Sequence, residues 1–234
     1  MDADQTEELR SRVSAAAAQG QPLEIRGGGS KAFYGHVASD AEVLDVGGHQ
    51  GVLDYEPSEL VITVRGGTPL ATVEAVLAES GQMLPFEPPR FGGNATIGGA
   101  VAAGLSGPGR PWRGAVRDVL LGVRALDGRA RLLRFGGQVM KNVAGYDLSR
   151  LMAGAMGTLG VLLEVSLRVA PLPRTERTLV LDVGPGAAQD LLRELRSRPV
   201  PVSAACFTQE ILYLRLAGHG SVLDTFHADN GGDW

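Results

Sequence analysis

The sequence predicts an α+β fold built in two parts. Short runs dense in β-branched residues stop at paired glycines, as Leu60 to Arg65 does before Gly66-Gly67. Between them lie stretches with apolar residues at helical spacing, and the character of the chain changes after Pro171 and Pro173. The 33 glycines are bunched in short groups rather than spread as low complexity. That pattern marks tight turns or backbone brought close to a ligand.

Taken in order, residues 2–19 place Leu9, Val13 and Ala16 or Ala17 on one side, which predicts an amphipathic helix closed by Gly20. Leu23 to Arg26 reads as a strand that runs into Gly27-Gly28-Gly29-Ser30-Lys31. Val43 to Val46 and Leu60 to Arg65 read as further strands. Thr68 is placed to cap a helix with Pro69 at its first position and Leu70, Val73, Val76 and Leu77 on its apolar face. Leu84 to Pro89 holds too many prolines for regular structure. Val116 to Leu126 and Ala130 to Phe135 read as strands joined at Asp127-Gly128, a hairpin signal. Tyr146 to Ala153 suits a short helix and Gly160 to Ala170 a strand. In the second part, Leu179 to Val183 and Ile211 to Leu216 read as strands around a helix from Ala187 to Arg196, and Cys206 as a small core residue. Two strands and one helix cannot easily bury both faces of a sheet, so this part is expected to be incomplete.

Composition excludes several classes of function. A net charge of -4 and a pI near 5.6 argue against binding along nucleic acid phosphates. The longest apolar stretch, around Leu159 to Leu163, falls far short of the roughly 18 residues that span a bilayer. Met1 to Arg10 is acidic and polar, unlike a secretory signal, so a cytoplasmic location is expected. Cys206 is the only cysteine. Neither an internal disulfide nor an iron–sulfur cluster on this chain's own thiolates is then available.

The glycine groups carry the chemistry. After a strand, Arg26-Gly27-Gly28-Gly29-Ser30 can turn several backbone N–H groups toward one point, an anion nest to which Ser30, Arg26 or Lys31 can add donors. Alone, such a triple glycine is more often a surface turn. Residues 91–109 give it company: Gly92-Gly93-Asn94-Ala95-Thr96-Ile97-Gly98-Gly99 and beyond have small side chains throughout, with Ser106 and Gly107 following. Either a flat ligand or diphosphate lies on this backbone, or a Gly/Ala helix packs tightly on a sheet. Neither group fits the Rossmann fingerprint or the Walker lysine motif.

The order RGGGS, PP-x₆-TIGG, VRD, KNVAGYDLSRL and GTLGV resembles the FAD-binding domain of the vanillyl-alcohol oxidase and p-cresol methylhydroxylase (PCMH) superfamily. The wording of 140–161 is similar to glycolate oxidase subunits, and to the accessory FAD-binding one in particular. The resemblance covers roughly residues 20–173. It implies a PCMH-type domain of two small sheets with flanking helices over 1–173, and a partial α+β cap over 174–234 that the chain stops inside. It also implies that Arg26, Gly27, Gly28, Gly29 and Ser30 cradle the FAD pyrophosphate. Pro88, Thr96, Ile97, Gly98 and Gly99 would meet the diphosphate and ribityl region, with Ser106, Gly107 and Arg117 nearby. Gly157, Gly160 and Val161 would pass the isoalloxazine or adenine.

His36, His49, His219 and His227 all lie outside these motifs, so FAD is expected to be noncovalent. Lys141, Tyr146 and Asp147 could form an acid/base cluster, but Asp147 is better placed as a helix cap and Tyr146 as a packing residue. Arg110, Arg113 and Arg117 could meet phosphates or simply face solvent. The implied activity is oxidation of glycolate to glyoxylate within a complex that includes a catalytic flavoprotein subunit and an iron–sulfur subunit, with association at the inner membrane only through partners. The alternatives are a scaffold subunit that retains the FAD fold without redox chemistry, or a nonfunctional fragment.

Overall fold

The computed structural model describes residues 3–36, 39–137 and 147–234. In chain order the elements are α1 (Thr6–Gln19), β1 (Leu23–Arg26), β2 (Glu42–Asp45), β3 (Val52–Glu56), β4 (Val61–Arg65), α2 (Leu70–Glu79), β5 (Gln82–Met83) and α3 (Ile97–Ala103). They continue with α4 (Arg110–Arg113), α5 (Val116–Val119), β6 (Leu120–Leu126), β7 (Leu132–Gly136), α6 (Leu148–Met152), β8 (Val161–Arg168) and β9 (Ala170–Pro171). Then come β10 (Thr175–Asp182), α7 (Pro185–Leu195), β11 (Val202–Thr208), β12 (Ile211–Gly218) and α8 (Gly220–Asn230). The chain forms two compact units, Met1–Ser106 with Ala115–Ala170, and Gly107–Gly114 with Pro171–Trp234.

The first unit holds a five-stranded sheet in the order β3-β4-β8-β6-β7, antiparallel throughout, and a parallel pair β1-β2. β8 is the hub. Its sequence VLLEVSLR is buried at almost every position because it feeds two cores. Leu162, Val165 and Leu167 join Ile62, Val64, Leu77, Phe86 and Ile97, while Val161 and Leu163 join Leu9, Val13, Leu44 and Val46. The register against β6 slips between Arg124 and Ala125, opposite Glu164 and Leu162. The extra residue, Leu163, is a bulge that turns the alternation over and lets one strand serve both sides.

The opening helix forms as expected, with Leu9, Val13 and Ala16 buried and Gly20 in the left-handed conformation at its end. Other expectations are corrected. Val116 to Leu126 is not one strand: Val116 to Val119 make a helical turn whose Asp118 carboxylate accepts from the Ala115 N–H at 2.8 Å. The β6–β7 connection is not a two-residue turn at Asp127-Gly128. The Asp127 carboxylate gathers the N–H groups of Arg129 and Arg131, and Ala130 takes φ +56°, so the loop is longer. Pro69, not Thr68, caps α2, because the Thr68 hydroxyl is engaged with the Gly51 backbone.

In the second unit, β10-β12-β11 form an antiparallel sheet whose Leu179, Leu181, Leu212, Leu214 and Leu216 are buried with Leu195, Leu223 and Phe226 of α7 and α8. This unit is therefore more complete than two strands and a helix, having a third strand and a closing helix. Cys206 is exposed. It pairs with Tyr213, on the face opposite the leucines, so it is not a core residue.

Candidate functional site

A cleft of about 410 Å³ opens in the first unit, within the range of about 300–1,000 Å³ usual for small-molecule sites. Three stretches wall it: the end of β1 with the loop after it, the start of α3, and the segment from Met152 to Gly160. β1 delivers the chain to Gly27 and stops there, since Val46 donates to the Arg26 carbonyl as the last link of the parallel pair. Beyond it, the N–H groups of Gly27, Gly28, Gly29 and Ser30 have no acceptor among the described residues. Four consecutive N–H groups without an acceptor among the described residues are what an anion-binding nest requires.

Close approach of backbones explains the glycines. A Cβ on Gly28 would overlap the Asn94 carbonyl, and one on Gly98 would lie 2.7 Å from the Gly66 oxygen. Of the two readings of the 91–109 segment, the structure bears out the packed helix. The segment forms a Gly/Ala helix, α3, pressed onto β4 and β8, and it also presents Gly98, Gly99 and Ala102 to the cleft. Thr96 caps that helix, its hydroxyl accepting from the Gly99 N–H at 3.3 Å.

Of the residues expected to hold a cofactor, Arg26, Gly27, Gly28, Gly29, Ser30, Thr96, Gly98, Gly99, Gly157 and Gly160 line this one cleft. Ile97 and Val161 are buried in the two hydrophobic cores instead, and Pro88 is buried away from the lining. Ser106 accepts from the Val116 N–H at 3.1 Å. Arg117 is exposed and outside the lining, and Gly107 belongs to the second unit. The Arg26 guanidinium turns back onto Glu24, 2.7 Å from Oε2.

The ionisable residues of the described lining are Glu24, Arg26, Lys31, Tyr34 and His36. Burial pulls the Lys31 ammonium below the ordinary lysine range. His36 is exposed at the cleft, whereas His49 is 1% exposed and binds the Gln5 N–H through Nδ1 at 3.0 Å. Asp147 caps α6, accepting from Arg150 N at 3.1 Å, and the Ser149 hydroxyl holds its carboxyl below the usual range. Lys141 and Tyr146, with the rest of 138–146, lie outside the described residues. Arg113 bridges Glu176 within the second unit.

Sequence reasoning missed Gly66, Met152 and Met156 in the lining. The Gly66-Gly67 pair was legible only as a turn, and the methionines give no periodic signal. Among the described residues no group of acidic, histidine or cysteine side chains could hold a metal ion.

This α+β unit, a five-stranded antiparallel sheet with short two-stranded pairs beside it and a glycine-walled cleft, has the architecture of a PCMH-type domain rather than a Rossmann or P-loop one. The chain belongs to the family described as FAD binding domain, which matches residues 2–136. It is 49% identical to glycolate oxidase subunit GlcE of Escherichia coli (strain K12) over 222 residues, 94% of this chain and 63% of the relative. It is 31% identical to D-2-hydroxyglutarate dehydrogenase of Xanthomonas citri pv. viticola and 28% to glycolate oxidase subunit GlcD of Bacillus subtilis (strain 168). Each of those alignments covers 75% of this chain and 37% of the relative. The chain thus spans only about two fifths to under two thirds of these proteins. Among solved structures it superposes on alkyldihydroxyacetonephosphate synthase with a TM-score of 0.74 at 18% identity, covering 95% of this chain and 47% of that one, which shows the shared fold.

Proposed function

We propose that this chain is the FAD-binding part of a flavoprotein that oxidises a 2-hydroxy acid, glycolate to glyoxylate, as one subunit of a glycolate oxidase-type complex. The observation that carries the reading is the 49% identity to the E. coli glycolate oxidase subunit along 94% of the chain. The cleft fits the cofactor on its own terms: N–H groups at Gly27 to Ser30 with no acceptor among the described residues for a diphosphate, and side-chain-free wall at Gly98, Gly99 and Gly157 for flat groups. Bound FAD supplies the hydride acceptor.

The chain's own residues position it. Gly27 to Ser30 donate to the phosphates, Lys31 supplies positive charge at the same wall, and Thr96 fixes the start of α3 so that Gly98 and Gly99 stay in reach. Ile97 and Val161 support the walls from behind, in the cores, and Pro88 is buried away from the lining. FAD is held noncovalently, by backbone groups of the glycine loops; His36, the one histidine in the described lining, stands exposed at the cleft. With one cysteine, exposed at 206, electron relay through iron–sulfur centres falls to a partner subunit, alongside a catalytic flavoprotein subunit. No helix among the described residues is long and apolar enough to cross a membrane, and attachment to the inner membrane would come through those partners.

The test is the visible spectrum of the purified chain before and after acid or heat release. Flavin bands that pass to the supernatant are expected, followed by bleaching with glycolate once partner subunits are added. A folded, colourless chain that cannot be loaded with FAD would refute the reading. Flavin that binds yet is never reduced within the complex would favour a scaffold role instead.

A further inference from the structure

Two exposed aromatics outside the cleft lining itself meet beside Lys31, one from the segment after the glycine loop and one from the segment before Gly92. Phe33 follows the glycine loop and is 68% exposed; Phe91 precedes Gly92-Gly93-Asn94 and is 54% exposed. Their rings meet edge to face, with centroids 5.1 Å apart and planes at 79°, a favourable arrangement for an aromatic pair. The Lys31 ammonium lies 5.9 Å from the Phe91 centroid and 3.4 Å from the Ser30 hydroxyl. Lys31 lines the cleft, and among the described residues no carboxylate pairs with it.

Phe91 also takes φ +49°, in the left-handed region that a phenylalanine rarely adopts. Strained backbone of this kind persists where the surroundings hold it in place. The two loops are also in backbone contact, Gly28 against Asn94. The rings therefore add little to the core and instead join the tops of the loops while facing a lysine.

We propose that Phe91 is a positioning residue: its ring holds the Lys31 ammonium over the anion nest, and its contact with Phe33 latches the two loops across the cofactor's diphosphate. The proposal rests on the FAD reading above. Lys31 donates to the ligand, whereas Phe91 and Phe33 act through Lys31 and the loops.

The test is a flavin-fluorescence titration of the full chain with FAD at low and raised ionic strength, with thermal melting of each apo variant alongside. Lys31→Met should weaken binding by about tenfold or more, the scale of a charge-assisted hydrogen bond, and should flatten the dependence on salt. Phe91→Leu keeps apolar bulk but loses the ring's face. It should weaken binding by about two- to fivefold, and Phe91→Trp should restore it. In a Lys31→Met background Phe91→Leu should do nothing further, since the two act as one unit.

Equal affinity of Phe91→Leu and wild type at both ionic strengths would overturn the proposal. So would an undiminished Phe91→Leu effect without Lys31, or a melting loss that parallels the affinity loss with the salt dependence intact. A wild-type chain that takes up no FAD at all would instead sink the underlying cofactor assignment, and the latch with it.

Discussion

Replacing Gly98 by alanine tests whether the glycine wall is a matter of space or of chance. Gly98 is the second residue of α3, and its N–H donates to the Gly66 carbonyl at 2.8 Å. An added Cβ would stand 2.7 Å from that oxygen and 2.9 Å from the Gly66 Cα, both backbone atoms that cannot swing aside. Reaching an ordinary contact of about 3.5 Å requires α3 to retreat by roughly 0.8 Å, which takes the hydrogen bond beyond its range. Lost bonding of about 0.5–1.5 kcal/mol adds to overpacking of about 1–3 kcal/mol. Against this, alanine gains about 0.5–1 kcal/mol over glycine within a helix. The net loss is about 0.5–4 kcal/mol. At about 2–4 °C per kcal/mol for a chain of this size, the first unit should melt roughly 1–16 °C lower, and FAD should bind more weakly because the same helix end lines the cleft. Gly93→Ala is the control, having nothing within 4 Å of its added Cβ. A Gly98→Ala variant that melts at or above wild type, as helix propensity alone would have it, would refute the close-approach account.

Burial depresses the His49 pKa below its usual value, and neutral Nδ1 accepts the Gln5 N–H. The unfolded chain takes up the proton that the folded one refuses, so stability should hold above about pH 6.5 and fall as pH drops below it, by up to about 1.4 kcal/mol per unit. Urea titrations should show that slope in wild type and not in His49→Gln; equal slopes would remove His49 as the cause. The Thr63 and Ser166 hydroxyls meet at 2.9 Å between β4 and β8. Thr63→Val should cost about 1–3 kcal/mol by stranding a buried hydroxyl, and adding Ser166→Ala should cost less than the sum of the two single changes; strict additivity in denaturant melts would count against the pairing.

Much of the fold was legible because the signals were strong and local. Leu9, Val13 and Ala16 keep helical spacing, Leu60 to Arg65 is β-branched, and Gly20 ends a helix. What escaped had weak patterns. β3 (VLDYE) is an edge strand, mostly exposed, and β11 is built from small residues with a bulge between Val202 and Ala204. α8 buries only Leu223 and Phe226. At the site, the close approaches at Gly28 and Gly98 were readable because glycine is required wherever backbones touch. The burial of Ile97 and Val161 was not, since both sit inside motifs whose neighbours face the cleft, and a motif does not tell which of its side chains points the other way.

β8 has a consequence for how the ligand-facing loop opens. The loop hangs from β1, and β1 pairs with β2 alone, a two-stranded ribbon too small to stand by itself. What secures the ribbon is the small core it shares with α1 and with Val161 and Leu163 of β8. That core is a natural sub-global opening unit, so amide exchange at Leu23 to Arg26 should proceed faster than at the centre of β8. A ligand bound at Gly27 to Ser30 would slow that exchange by mass action, because it binds the closed ribbon and not the open one.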